Sequence, residues 1–389
     1  MSVPALRFKD DDGQDFPEWE EKSLGEAASF IKDGTHGTHV DTVDGKYFLL
    51  SAKNIRNGGI FYDESDRRIS INEFESIYKN YKLCDGDVLL SVVGTIGRVA
   101  IYSSIFSNVA FQRSVAFFRF KNESSLFIAQ LFTANNFQNC LLTNQVVSAQ
   151  PGIYLGDLAK IRINLPSLPE QTKIANFLTA VDEKITQLTQ KHDLLIQYKK
   201  GVMQQIFSQE LRFKDDGQDF PEWEESLLGT VAEITTGSSN RVDSTVGDGA
   251  YTFFDRSQDI RTSDIYLFDC EAVIVAGEGQ EFIPKHFVGK FDLHQRTYAI
   301  TGFRGIDGKF LFYFVYQFRS YFLSQAVGST VKSLRLPMFQ KMPVEIPCLK
   351  EQTKIANFLT AIDDKITATQ IQLQAVKQYK QGLLQQMFV

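Results

Sequence analysis

The 389-residue sequence predicts an α+β protein arranged as a pseudo-two-fold internal repeat. Two similar mixed α/β domains stand in tandem, separated by two long helices that pair as an antiparallel coiled coil. Two duplicated segments and one periodicity predict this. Residues 6–20 read LRFKDDDGQDFPEWE and residues 211–224 read LRFKDDGQDFPEWE, differing by one Asp. Residues 170–186 read EQTKIANFLTAVDEKIT and residues 351–367 read EQTKIANFLTAIDDKIT. Length alone allows two to four domains at about 100–200 residues each. The repeat narrows this to two copies of one plan.

In order, the predicted elements are an N-terminal lead segment (1–23), a mixed domain (24–166), a long helix (167–209), the repeated lead segment (210–226), a second mixed domain (227–347) and a second long helix (348–389). In each lead segment Phe16 and Trp19, or Phe220 and Trp223, flank Pro17 or Pro221, which predicts a fixed turn docked by aromatics. Inside the domains, strand-like alternation punctuated by Gly runs through 46–55 and 87–94, and through 250–260 and 272–279. QRSVAFF at 112–118 matches QRTYAI at 295–300. A helical stretch follows, at about 126–142 and 310–326, and each domain closes on a strand running into Pro166 or Pro347.

The tails carry the strongest periodicity. Leu178, Val181, Ile185, Leu188, Leu195 and Val202 mark one seam; Leu359, Ile362, Ile366, Leu373, Val376 and Leu383 mark the other, at an offset of 181. Spacings alternate between four and three, the heptad signature. A helix of about 37 residues would be roughly 55 Å long. Two such seams in one chain bury each other. Lys199 and Lys380 interrupt both at the same point, a polar seam position that fixes register. His192 aligns with Leu373 and reads as a tolerated seam residue.

Composition excludes disorder: 43% of residues are apolar, 13% aromatic and 23% charged, and 33 are Phe, so Phe-rich cores are expected. The net charge of -6 argues against bulk electrostatic coating of nucleic acid. The deficit, however, lies in the lead segments, with two basic against seven acidic residues in 6–21 and two against six in 211–225. The domains are near neutral, 15 basic against 13 acidic over 22–165 and 12 against 13 over 226–346. Cys84, Cys140, Cys270 and Cys348 form no short-spaced pair and read as free thiols of a reducing cytosol. The N-terminus has no apolar signal core, and the most apolar stretch, Phe310 to Leu323, is short and holds Gln317 and Arg319. A cytoplasmic protein is expected.

No constellation of catalytic side chains is visible. GFRGIDGKF (302–310) has the wrong spacing for a phosphate loop, and Phe310 stands where a Ser or Thr would meet Mg²⁺. His36 and His39 lack a third ligand nearby in sequence. GEGQEF (277–282) lacks the remainder of a dinucleotide fingerprint.

The chain resembles the DNA-specificity subunits of type I restriction-modification systems. The resemblance covers essentially its whole length. It rests on the duplicated layout, on NLPSLPEQTKIANFLTAVDEKI (164–185) with its copy EIPCLKEQTKIANFLTAIDDKI (345–366), and on LCDGDVLLSVVGTIGRVAIY (83–102). The second half departs at the last motif, reading FDCEAVIVAGEG without Gly-Arg. The resemblance implies a non-catalytic subunit whose two target-recognition domains each bind one half of a bipartite double-stranded DNA target, while the helices set the spacing. It further implies two methyltransferase (modification) subunits docked on the helices and restriction subunits for translocation and cleavage. S-adenosylmethionine, ATP and Mg are then held by those partners, with no cofactor, metal or membrane bound by this chain.

Arg and Lys suit guanine edges, and Asn and Gln suit adenine. Candidate DNA contacts are therefore Lys53, Asn54, Arg56, Arg98, Gln112, Arg113 and Gln150 in the first half, and Asn240, Arg241, Arg256, Gln280, Gln295, Arg296 and Lys332 in the second. Because the Gln-Arg pairs at 112–113 and 295–296 recur, they are expected to touch phosphate or support the fold. The competing reading is a two-domain coiled-coil adaptor that binds protein partners without DNA recognition.

Overall fold

The computed structural model describes residues 4–146, 151–240, 248–257 and 259–388. The chain divides into two units, residues 1–189 with 371–389, and residues 190–370. Both boundaries fall inside long helices. Each unit therefore holds the first part of one helix and the last part of the other.

The first half contains β1 (Glu20–Ser23), α1 (Leu24–Ala27), β2 (Ala28–Asp33), β3 (Tyr47–Leu50), β4 (Ile55–Arg56), β5 (Gly59–Ile60), β6 (Arg68–Ile69) and α2 (Ile71–Tyr78). It continues with β7 (Val88–Ser91), β8 (Val99–Ile101), β9 (Val109–Phe111), β10 (Val115–Phe120), α3 (Ser125–Thr133), α4 (Asn135–Thr143), α5 (Leu155–Lys160), β11 (Arg162–Leu165) and α6 (Leu168–Phe207). The second half contains β12 (Lys214–Asp215), β13 (Gln218–Asp219), β14 (Glu224–Leu227), α7 (Leu228–Val231), β15 (Glu233–Thr236), β16 (Tyr251–Phe254), β17 (Arg261–Ser263) and β18 (Phe268–Ala276). Then follow β19 (Glu278–Gly279), β20 (Lys285–Leu293), β21 (Thr297–Thr301), α8 (Gly308–Gln317), α9 (Ser320–Gln325), β22 (Lys332–Ser333), α10 (Leu336–Gln340), β23 (Pro343–Ile346) and α11 (Leu349–Met387).

In the first unit the sheet β2-β10-β7-β8 is antiparallel, and β6-β3-β9 contains the parallel pair β3/β9. Successive side chains on a strand point to opposite faces, and here both faces are buried. Val88, Leu90, Ala116 and Phe118 join a core with α3 and the long helices, while Leu89, Val115 and Phe117 join a second core with β3, β9 and α2. The second unit has one sheet, β15-β21-β18-β20-β16-β17, with β16/β20 parallel. Val273, Val275 and Ile300 face its helical core, and Ala272, Ile274 and Ala299 face the other side. Here the nine-residue β20 pairs with both β18 and β16, so one strand takes the places of β8 and β9. Phe dominates these cores, Phe111, Phe117, Phe118, Phe127, Phe253 and Phe310 being essentially inaccessible.

The duplicated segments are two sides of one contact. Glu170 is fully buried and takes Arg7 from the lead segment at 2.7 Å. The same guanidinium donates to the carbonyls of Phe16 and Pro17. Next to it Gln171 accepts from Ser124 N and donates to Pro166 O. Lys173 donates to Lys9 O and lies over the Phe16 ring, and Phe8 packs edge-on against Phe177. The second half repeats this with Glu351 and Arg212 at 2.9 Å, Gln352, Lys354 and the pair Phe213 and Phe358.

Both long helices are continuous, 40 and 39 residues. Within the first unit Lys380 meets Asp182 at 2.7 Å, and within the second Lys199 meets Asp363 at 2.6 Å. In each pair the residue numbers add to 562, an antiparallel register that each unit displays independently. The Lys residues of the two seams thus act through a carboxylate on the facing helix. Gln130 of α3 and Tyr313 of α8 bond the same two aspartates. The seam is buried at Leu178, Leu188, Val202, Leu359, Ile362, Leu373 and Leu383, and half-buried at Ile185, Leu195, Ile366 and Val376. Val181 joins the first core and His192 is half-buried.

The helix ends close each domain. Leu383, Leu384, Met387 and Phe388 enter the first core, and Val202, Met203, Ile206 and Phe207 enter the second. Leu6 N bonds Gln386 O at 3.0 Å, as Leu211 N bonds Gln205 O at 2.9 Å. Where each half has one predicted helix at 126–142 and 310–326, the structure has two. Ala134 is extended and its N–H returns to Leu131 O, ending α3; in the second half α8 and α9 are separated by Phe318 and Arg319.

Arg7→Met leaves the buried Glu170 carboxylate without its arginine, and a cost of about 3 kcal/mol is expected in urea unfolding. Adding Glu170→Gln removes the stranded charge and should recover more than half of that loss. A double variant no more stable than Arg7→Met would contradict the account.

Candidate nucleic-acid interface

Among the described residues each unit has one parallel pair of named strands, with Leu50 opposite Phe111 in one and Phe254 opposite Leu293 in the other. The chain leaves the ends of these pairs as Ser51–Ile55, Gln112–Ser114, Asp255–Ser257 and His294–Arg296. Close packing fixes the third neighbour. A Cβ on Gly34 would collide with Phe111 O, and one on Gly237 with Leu293 O. Thr35 then bridges Gln112 and Ser239 bridges His294, both in parallel sense. The two halves therefore bring their polar candidates to equivalent places.

In the first unit Lys53 is exposed and pairs with Asp66 at 2.8 Å. Burial raises the Asp66 pKa, but hydrogen bonds from Asn54, Lys53 and the Asp63 backbone outweigh it, and the net shift is downward. Arg56 is exposed on the β4–β5 hairpin and stacks over Phe61 at 5.1 Å. The hairpin's turn, Asn57-Gly58, has φ of 50 and 75°, the mirror-image geometry that suits a two-residue hairpin. Gln112 is half-buried. Arg113 is exposed and lines a cleft of about 500 Å³ with Asp33, His36, Val93 and Tyr154.

Two of the expected contacts are engaged within the fold. Asn54 is buried: its amide donates to Phe61 O and Asp66, and its oxygen accepts from Ser51 N. The Arg98 guanidinium reaches the carbonyls of Ala52, Lys53 and Ile55, each at 3.4 Å, and so clasps the same loop. Gly97 beside it has φ of 90°, and a Cβ there would strike Gln138. The Gly-Arg motif thus shapes the loop. Gln150 and Arg241 lie outside the described residues.

In the second unit Arg256 and Arg296 converge on Glu278, Arg256 at 2.9 Å. Gln280 is exposed beside them, and Lys332 on β22 is paired across from Gly279. Asn240 and Gln295 are exposed, and Gln295 N bonds Ser239 O. Asp255, Arg256, Glu278, Gln280 and Lys285 line a cleft of about 480 Å³. Lys285 donates to Ser257 O, and burial lowers its pKa against the pull of Asp255 and Asp259. Burial also lowers the His294 pKa, and its Nδ1 accepts from Arg296 N.

The histidines of the HGTH stretch are held within the first unit. His36 contacts Asp33 at 2.7 Å, and His39 lies between Thr35 and Glu73. The loop-like GFRGIDGKF stretch is a helix start in which Asp307 accepts from Phe310 N. As neighbours of the candidates, Glu278, Lys285, His36 and Tyr154 are not legible in the sequence. The GEGQEF and HGTH stretches single out Glu278 and His36 for other chemistry, and the spacing of the four carries no signal, because the strand ends that gather them are far apart in the chain. Among the described residues no helix is long and apolar enough to cross a membrane.

The sequence profile of the family described as type I restriction modification DNA specificity domain matches residues 17–197 and 221–378. The specificity subunit of the type I restriction enzyme EcoDI from Escherichia coli is 30% identical over 169 residues, spanning 42% of this chain and 37% of that protein. That of MjaVIII from Methanocaldococcus jannaschii is 23% identical, covering 97% of this chain and 94% of its own. A crystal structure of a type I restriction-modification S subunit from M. genitalium matches with a TM-score of 0.67 at 14% identity, covering 100% of this chain and 99% of that one. A chain from a structural study of assembly and conformational transition in a type I system matches with a TM-score of 0.55 at 15% identity, covering 96% and 98%. At these identities the structural likeness is one of fold.

Asn54→Ala removes three internal hydrogen bonds and leaves buried partners unmet, so a cost of about 1–3 kcal/mol is expected. Lys53→Ala removes an exposed ammonium and leaves Asp66 held by Asn54 and Asp63 N, so it should cost less, about 1 kcal/mol or under. Equal unfolding midpoints for the two variants would contradict this placement.

Proposed function

The chain belongs to the family of type I restriction-modification DNA-specificity proteins, and we propose that each of its two units reads one half of a split DNA target. The observation that carries this reading is the gathering of polar side chains at equivalent strand ends in both units. Arg113 in the first unit, and Arg256, Gln280 and Arg296 in the second, are exposed there. These are side-chain types whose donors fit base edges in the major groove. The near-neutral domains suit a reader whose phosphate contacts are shared with partners.

The chain performs no catalysis itself in this proposal. Two copies of a modification subunit dock on the long helices and carry the S-adenosylmethionine for adenine methylation. Restriction subunits bring ATP and Mg, and the complex works in the cytoplasm. Helix length fixes the gap between the half-sites. One repeated feature supports paired docking: Tyr198 and Tyr379 are equivalent and exposed. Near each, Gly201 or Gly382 sits inside the helix where a Cβ would meet open space. A helical Gly costs about 1 kcal/mol relative to Ala, and among the described residues no neighbour calls for it. Close approach by a partner would account for it. Docking on the helices would serve the adaptor reading equally; the family match and the gathered arginines are what favour DNA.

Replacing residues 24–166 with another recognition domain is expected to change one half of the methylated motif and leave the other intact, as read by mapping methylated adenines in a host expressing the chain with its modification subunit. Duplex affinity of the reconstituted complex should fall with salt at a slope near -0.9 per phosphate contacted. Absence of duplex binding, or a change in both half-sites, would overturn the proposal.

A further inference from the structure

The two reading positions differ in how their arginines are held. Among the described residues the Arg113 guanidinium has no ion partner, whereas Arg256 and Arg296, from the ends of both strands of the parallel pair, share Glu278. The Glu278 side chain is 12% exposed, and those of Arg256 and Arg296 are 50 and 60% exposed. The carboxylate therefore lies beneath and the two forks lie above it. Its backbone is anchored as well. Glu278 pairs with Ser333, Gly277 N bonds Arg296 O at 2.8 Å, and Leu334 N bonds Gly277 O at 2.8 Å.

With arginine ends at 50 and 60% exposure these pairs are screened and contribute modestly to stability, and a carboxylate near a DNA-facing surface repels phosphate. Glu278 is thus a poor choice for either purpose alone. Its geometry suits a third. An unanchored arginine finds any phosphate, a contact that positions but does not specify. An arginine whose fork is already oriented loses less side-chain freedom on binding and can meet guanine O6 and N7 with both donors.

Resting on the DNA reading above, we propose that Glu278 is a positioning residue for base recognition in the second unit. It holds Arg256 and Arg296 toward base edges and withholds them from phosphate. Removing its charge should loosen sequence choice while leaving affinity intact or higher. A merely structural role would lower both.

The test uses the chain in complex with its modification subunit. The probes are a short duplex carrying the mapped motif and two others in which one half-site or the other is scrambled, the half read by each unit being known from the domain replacement. For Glu278→Gln, discrimination against the duplex scrambled in the second unit's half-site should fall about tenfold, as expected for loss of one oriented base contact. Affinity for that scrambled duplex should hold or rise, with a salt slope steeper by about one phosphate. Discrimination at the other half-site should not change. Glu278→Asp, which keeps the carboxylate, should retain most of the discrimination. Wild-type discrimination in Glu278→Gln overturns the proposal, as does loss at both half-sites with a lowered melting temperature. A wild-type complex that binds all three duplexes alike overturns the DNA reading itself.

Discussion

Each half of the chain is organised around a carboxylate excluded from solvent, Glu170 or Glu351, at the start of a long helix, met by an arginine from a lead segment. A buried charge without a partner costs several kcal/mol, so the helix start and the lead segment are ordered together or not at all. The arginine also takes up two carbonyls of the Phe-Pro turn, and the adjacent glutamine fastens the helix start to the mixed domain. One ion pair thus ties lead segment, helix and domain. It accounts for the near-identity of both motifs in both halves, while the strands between them have diverged.

The helices have a second use for charge. Lys380 with Asp182, and Lys199 with Asp363, fix the same antiparallel register in each unit. Gln130 and Tyr313 carry that register to the domains through the same aspartates. The apolar helix ends then complete the two helical cores, so neither domain's core is built from its own half of the sequence alone.

Repetition made much of this legible in the sequence. The heptad seams, the lysines at one seam position, the aromatic-flanked proline turn and the alternating strands all follow from local pattern. The breaks at Ala134 and Phe318 escaped because the apolar periodicity runs through them. The candidate interface was legible by residue type only. Lys53, Arg56, Arg113, Arg256 and Arg296 fit the chemistry, but so do Asn54 and Arg98, which brace the loop that carries Lys53 and Arg56. What separates them is a parallel strand pair whose members lie some sixty residues apart in the first half and about forty in the second. Such a pairing leaves no spacing signature, and neither does Glu278 beneath its two arginines.

The central claim is that both units read DNA at the ends of their parallel strand pairs. Hydrogen–deuterium exchange of the complex with its modification subunit, with and without the motif-bearing duplex, tests it most directly. Protection on duplex binding is expected at 51–56 and 112–114 in the first half, and at 255–257, 278–280 and 294–296 in the second. Protection confined to other surfaces of the two domains, with these segments unchanged, would contradict it.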